Sequence, residues 1–262
     1  MFADAPQRAT PTAYLNSFRA RYLNDTPPNE SVKGFGRGAG ITKIVAKQAK
    51  NCYIPPMILT YHGGACVKAS AGDTTLVFGP VSKKSKNFKP VNFGADVAFV
   101  SLNHVDMNGA EDASRGERQP FLVYGPGEYE VQDVTASGFP SGSSYDGKPL
   151  SNTLYSVRFD GLSVLYLGAL GDIDLPSDVL EMDAPDVLII PVGGTGTLNA
   201  AEAEKLAVKL EAKIVVPILH DEKSLKQFLK EAGAERTKPV DKLTIKPRDL
   251  AGKENEVVVL SP

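Results

Sequence analysis

Two continuous apolar runs constrain the fold of this chain more than any other feature. Residues 187–192 read Val-Leu-Ile-Ile-Pro-Val and residues 214–219 read Ile-Val-Val-Pro-Ile-Leu, with no alternation of polar and apolar side chains. Strands of this kind are covered on both faces. A membrane-spanning helix needs about 20 apolar residues, so these short runs predict buried strands and no membrane segment. Helices must therefore cover the sheet that contains them.

Helix-capping residues follow each of these runs. Asn199 and Glu202 have the spacing of a capping box, which predicts a helix from near Ala200. Asp221 predicts the start of a second helix, and Gly233 predicts its end. We expect the apolar stripe of each helix to face the sheet.

The earlier part of the chain reads as short strands with turns between them. Asp160-Gly161 predicts a tight hairpin between strands at 153–159 and 162–167. Antiparallel strands followed by alternating strands and helices predict an α+β fold of two mixed sheets flanked by helices. Further strands are predicted at residues 57–61, 65–69, 74–78, 97–101, 243–246 and 256–260.

Residues 1–56 form an N-terminal basic arm ahead of the domain predicted at residues 57–262. The arm has eight basic and three acidic side chains, whereas the whole chain has a net charge of −2. This charge predicts docking onto the acidic body or contact with an acidic partner. We expect the arm to bind a protein partner or a second copy of the chain, and contact with RNA remains an alternative. The candidate partner-binding residues are Tyr14, Phe18 and Tyr22, which form an aromatic stripe at helical spacing, and Arg19, Arg21, Lys43, Lys47 and Lys50.

The chain contains only three histidines and two cysteines. A zinc pair that is rich in imidazole ligands would therefore lack donors. The two cysteines could form at most one disulfide, and the chain does not open with the charged and apolar segments of a secretory signal peptide. These features predict a cytoplasmic protein with free thiols.

The loop at residues 101–109, Ser-Leu-Asn-His-Val-Asp-Met-Asn-Gly, resembles the T-H-x-H-x-D-H-x-G signature of the metallo-β-lactamase superfamily. The similarity is to the small, uncharacterised hydrolase-like branch, and it covers residues 57–262. It implies an αββα sandwich with a metal site at the rim between the sheets. The other stretches that carry the resemblance, in the same order, are residues 60–66, 125–130, 152–155, 167–171, 188–194 and 214–217.

The resemblance also indicates which metal ligands this chain lacks. His104 and Asp106 occupy two of the ligand positions, whereas Leu102 and Met107 replace histidines. Ala169 replaces the bridging aspartate, and Leu219 replaces the late histidine, with His220 one residue later. Successive residues of a strand point to opposite faces of the sheet, so we expect His220 on the face opposite to Leu219. Asp172 or a displaced His220 would have to complete a single-metal site.

Three hypotheses follow from this pattern. The main one is a non-catalytic protein, a pseudoenzyme with a degenerate metal site, which serves binding or assembly through its arm and needs no cofactor. The second is a hydrolase of phosphoesters, lactones or amides that uses one zinc or other divalent ion at His104 and Asp106. The third is an RNA-associated component of a larger assembly.

Overall fold

A computed structural model describes residues 55–262 as two β-sheets with helices on the second sheet. Six strands form the first sheet in the order β12-β1-β2-β3-β4-β5, and seven form the second in the order β13-β11-β10-β9-β8-β7-β6. Their bounds are β1 Met57–Tyr61, β2 Val67–Ala71, β3 Thr74–Phe78, β4 Val97–Val100, β5 Phe121–Tyr124, β6 Gly127–Val131, β7 Val134–Ser143, β8 Leu150–Phe159, β9 Leu162–Tyr166, β10 Val187–Pro191, β11 Ile214–Ile218, β12 Leu243–Ile245 and β13 Glu256–Val257.

The two apolar runs form neighbouring parallel strands, as predicted. Every residue of β10 and of β11 is buried, because one face meets the other sheet and the opposite face meets helices. The α-helices are α1 (Ser177–Leu180), α2 (Ala200–Lys209) and α3 (Glu222–Glu231). Asn199 caps α2 in a capping box with Glu202, and Asp221 caps α3 with Ser224. The predicted fold class is confirmed.

Aromatic side chains fill the space between the sheets. The rings of Phe78 and Phe99 stack with centroids 4.8 Å apart, and Tyr166 lies 5.1 Å from Phe78. The Tyr166 hydroxyl donates to the Ala65 carbonyl at 3.0 Å, and the Tyr155 hydroxyl donates to the Val100 carbonyl at 2.8 Å. Both hydroxyls belong to the second sheet, and their acceptors belong to the first sheet or to its loops. These bonds therefore fix how the two sheets face each other.

The hairpin prediction is confirmed, and several strand boundaries are corrected. Asp160 and Gly161 both have positive φ, 53° and 75°, and connect β8 to β9. The second strand spans Val67–Ala71 rather than 65–69, because the turn at Gly63 and Gly64 extends to Cys66 through backbone hydrogen bonds. The two late strands are shorter than predicted and end at Ile245 and Val257.

The single described cysteine, Cys66, lies in the core. It is fully buried, and burial raises the pKa of its thiol to about 12. A thiol with this pKa stays protonated near neutral pH and is a poor nucleophile. Among the described residues, no helix is long and apolar enough to cross a membrane.

Replacing Phe228 by alanine should destabilise the domain, because this fully buried ring attaches α3 to the second sheet. We expect a loss of about 3–5 kcal/mol in the free energy of unfolding, measured by urea denaturation. Val208→Ala on α2 is the control, since Val208 is 53% exposed, and it should change that free energy by no more than about 0.5 kcal/mol. Equal effects of the two substitutions would contradict this packing.

Candidate metal and substrate site

The loop that follows β4 carries the site and runs along the rim between the two sheets. Its first part pairs with the second sheet, because Leu102 bridges Asn152 of β8 and the Thr153 N–H donates to the Ser101 carbonyl at 2.8 Å. The loop then turns back through bonds from the N–H groups of Met107 and Asn108 to the His104 carbonyl. His104 and Asp106 are therefore presented at the rim.

The carboxylate of Asp106 is fully buried and receives three side-chain hydrogen bonds. The Ser85 hydroxyl donates to Oδ1 at 2.5 Å, and the Asn87 amide and the Tyr145 hydroxyl donate to Oδ2 at 2.8 Å. Burial acts to raise the pKa of Asp106, but these hydrogen bonds and the nearby His104 outweigh it, so the pKa lies below its usual value. Asp106 is therefore an anion that ties together three segments of the chain.

The imidazole of His104 lies between two carboxylates. Nδ1 is 3.6 Å from Asp106 Oδ2 and accepts a hydrogen bond from the Asp106 backbone N–H at 3.2 Å, and Nε2 is 3.8 Å from Asp146 Oδ2. The ring packs edge-on against Tyr145 with centroids 5.2 Å apart. Because Nδ1 accepts the bond from the Asp106 N–H, the neutral ring carries its proton on Nε2, toward Asp146. Nε2 offers a lone pair at the surface only when the proton is on Nδ1, where it faces the Asp106 carboxylate instead.

Burial keeps the phenol of Tyr145 neutral. Burial raises its pKa, and the hydrogen bond to Asp106 raises it further. Tyr145 is therefore a hydrogen-bond donor near neutral pH and cannot act as a base.

The other predicted ligands do not join His104. Asp172 is exposed and accepts a bond from the Asp174 N–H at 2.9 Å. His220 packs 5.8 Å from the Tyr61 ring, and its Nε2 is buried with no hydrogen-bond partner. Burial lowers the pKa of His220, so its neutral form is favoured. Leu219 has a positive φ of 51°, so the alternation of faces that we expected to separate Leu219 from His220 does not apply there.

The residues present do not fit a zinc pair, and they leave two facing donors at which a single hydrated ion could be held. In residues 55–262, no group of three or more histidine, cysteine, aspartate or glutamate side chains is placed to hold a metal. Leu102, Met107 and Ala169 are fully buried in the core instead. The His104 imidazole and the Asp146 carboxylate, which are 20% and 61% exposed, provide one nitrogen and one oxygen donor that face each other. Divalent ions such as Mg²⁺ are held by one or two carboxylates with several waters.

The sequence analysis did not predict four residues of the site. Ser85 and Asn87 come from the loop between β3 and β4, and Tyr145 and Asp146 come from the turn between β7 and β8. The only local signal was the Asp146-Gly147 dipeptide, which indicates a left-handed turn, and Asp146 does have a φ of 57°. The predicted partner-binding residues of the arm, Tyr14 to Lys50, lie outside the described residues.

A family described as the β-lactamase superfamily domain matches residues 58–219. The chain therefore belongs to the metallo-β-lactamase superfamily, and the predicted resemblance is confirmed.

Several proteins named as metal-dependent hydrolases are similar to this chain over most of their own length. A UPF0173 metal-dependent hydrolase of Natranaerobius thermophilus is 24% identical over 185 residues, which is 62% of this chain and 82% of the relative. Another from Thermoplasma acidophilum is 25% identical, over 61% of this chain and 81% of the relative. A solved structure from Thermotoga maritima, a candidate Zn-dependent hydrolase of the superfamily, has a TM-score of 0.60 and 26% identity, covering 78% of this chain and 98% of its own.

These comparisons contradict the main functional hypothesis. The prediction of a non-catalytic pseudoenzyme with a degenerate metal site was wrong, because the similar proteins are named metal-dependent hydrolases. The prediction came from counting ligands against the superfamily signature, in which Leu102 and Met107 stand for histidines. That count could not include Asp146, because no motif contains it.

Replacing Asp106 by alanine should destabilise the domain, because three side-chain donors lose their acceptor. We expect a loss of about 2–4 kcal/mol in the free energy of unfolding, measured by urea denaturation. Asp183→Ala is the control, since its carboxylate is 96% exposed, and it should change that free energy by no more than about 0.5 kcal/mol. If Asp106→Ala were as stable as the parent chain, the network would have no role in holding the rim.

Proposed function

We propose that this chain is a metal-dependent hydrolase that uses one divalent ion at the rim, held by Nε2 of His104 and a carboxylate oxygen of Asp146. The observation that carries the proposal is the position of His104 between two carboxylates, with Nδ1 toward Asp106 and Nε2 toward Asp146. The similarity to named metal-dependent hydrolases supports it. Phosphoesters, lactones and amides are the candidate substrates.

The position of Asp106 suits it to orient His104 rather than to bind the ion. Histidines that bind metals usually direct their second ring nitrogen to a carboxylate or a backbone group, which fixes the ring and raises its basicity. The Asp106 carboxylate is 3.6 Å from Nδ1, and its two oxygens already accept bonds from three side chains. A metal at Nε2 requires the ring proton on Nδ1, so the contact with this carboxylate would replace the bond that Nδ1 accepts from the Asp106 N–H. This revises the earlier assignment of Asp106 as a ligand.

A bound divalent ion would lower the pKa of a coordinated water so that hydroxide is available near neutral pH. The chain contributes the placement of the donors. Tyr145 packs against the His104 ring and donates to Asp106, so it limits the rotation of both side chains. Asp146 lies on a turn that follows Tyr145 directly, and its position therefore depends on the same contact. The partner-binding and RNA-binding roles of the arm, and the cytoplasmic location, stay predictions.

Replacing His104 by alanine should abolish turnover, because the only nitrogen donor of the site is lost. With chromogenic phosphodiesters, esters and lactones as substrates and Zn²⁺ or Mn²⁺ supplied, we expect kcat/KM to fall by about 100-fold or more. His62→Ala is the residue-matched control, since His62 packs 4.6 Å from the Phe93 ring and bonds to Thr60. Turnover that survives in a folded His104→Ala variant, as judged by circular dichroism, would refute the proposal.

The requirement for metal should depend on Asp146. After treatment with a chelator the chain should lose turnover and regain it on addition of Zn²⁺ or Mn²⁺. Asp146→Asn should raise the metal concentration that gives half-maximal activity by about tenfold, since one charged oxygen donor is removed. Asp183→Asn, which changes a carboxylate that is 96% exposed and far along the chain, should leave that concentration unchanged. Identical metal titrations of the two variants would exclude Asp146 as a donor.

A further inference from the structure

The edge strand β5 exposes large apolar side chains in a row. Phe121, Leu122 and Tyr124 are 45%, 49% and 51% exposed, and only Val123 of this strand is buried. Within residues 55–262, β5 pairs with β4 and with no other strand. An exposed, apolar edge strand is a template for pairing with another chain.

The direction of the backbone groups of β5 shows which residues are open to a partner. The Phe121 N–H donates to the Asp96 carbonyl on the β4 side at 2.8 Å. Because successive residues of a strand direct their N–H and C=O groups to opposite sides, Val123 also faces β4, and Leu122 and Tyr124 face outward. The Tyr124 carbonyl accepts a bond from the Tyr129 hydroxyl at 3.0 Å, and its second lone pair remains for a partner. The outward groups come from the same two residues whose side chains are exposed on the outer face of the sheet.

The outward N–H and C=O groups of one β5 can pair with the same groups of a second β5 that is related to it by a two-fold axis. If β5 meets a second β5 antiparallel with the axis at Val123, Leu122 of each copy lies opposite Tyr124 of the other. Residues opposite each other in this way exchange both N–H···O=C bonds. The aliphatic and aromatic side chains of each such pair then lie on the same face, which is a favourable cross-strand pairing.

Charged residues at the two ends of β5 favour the same antiparallel arrangement. Arg115 and Arg118, with Glu117 between them, precede the strand, and Glu128 and Glu130 of β6 follow it, all of them exposed. An antiparallel pair brings the mainly basic end of one copy next to the acidic end of the other. Arg118 lies 3.5 Å from Asp96, and Glu128 accepts a bond from Ser137 at 2.7 Å, so both keep partners within their own chain.

We infer that β5 pairs antiparallel with β5 of a second copy of this chain, forming an isologous dimer in which a continuous sheet crosses the interface. A four-residue strand is too short to bury by itself the roughly 1,200 Å² of a stable interface. The edge strand of the second sheet, β6, begins three residues after β5 and extends the contact. Residues 121–124 belong to the domain and not to residues 1–56, which carried the earlier prediction of oligomerisation.

The experiment is sedimentation equilibrium of the full chain over a range of concentrations. We expect a dimer that dissociates on dilution, and a dissociation constant at least about tenfold higher in Leu122→Lys and in Tyr124→Lys, because a charge on an edge strand prevents pairing. Val208→Lys is the matched control, since it places a lysine at an exposed apolar position on α2, and it should leave the dissociation constant unchanged. Circular dichroism and urea denaturation check that each variant folds.

A charge reversal tests the register. Arg118→Glu should weaken the dimer, and Arg118→Glu combined with Glu128→Arg should restore it. A full chain that sediments as a monomer at every concentration would overturn the inference. A dimer that is unaffected by Leu122→Lys and Tyr124→Lys would overturn it as well, because the interface would then lie elsewhere.

Discussion

The buried carboxylate of Asp106 is the interaction on which the rest of the site depends. It joins three segments that are distant in the sequence: the loop after β3 through Ser85 and Asn87, the loop after β4 through its own backbone, and the turn after β7 through Tyr145. A buried charge without partners would cost several kcal/mol, so the three donors must all be in place when the domain is folded. The same contacts position His104 and Asp146 at the surface.

The sequence predicted the framework because its signals are local. Continuous apolar runs identified β10 and β11, Asp160-Gly161 identified a hairpin, and a capping box identified the start of α2, each within ten residues or fewer. The contacts of Asp106 span 19 to 39 residues, and no pattern in the sequence predicts them. The positive φ of Leu219 could not be predicted either, since an apolar strand pattern does not indicate a left-handed backbone at a non-glycine residue.

Counting ligands against a superfamily signature gave a wrong conclusion about activity. Four positions that the resemblance assigns to metal ligands, two of them in the signature, are apolar here, and residues 55–262 contain no group of three donors. The similar proteins are nevertheless named metal-dependent hydrolases. The site proposed above, with fewer protein ligands, would resolve the difference, because waters can complete the coordination of a divalent ion. In that proposed site, Asp146, which lies outside the signature, would compensate in part for the ligands that are lost.

The position of a bound metal tests this account most directly. Crystals of the full chain grown with Mn²⁺ can be measured at a wavelength where manganese scatters anomalously. We expect one anomalous peak about 2 Å from Nε2 of His104, with a carboxylate oxygen of Asp146 among its neighbours. A pair of ions, or one ion bound away from His104, would contradict it.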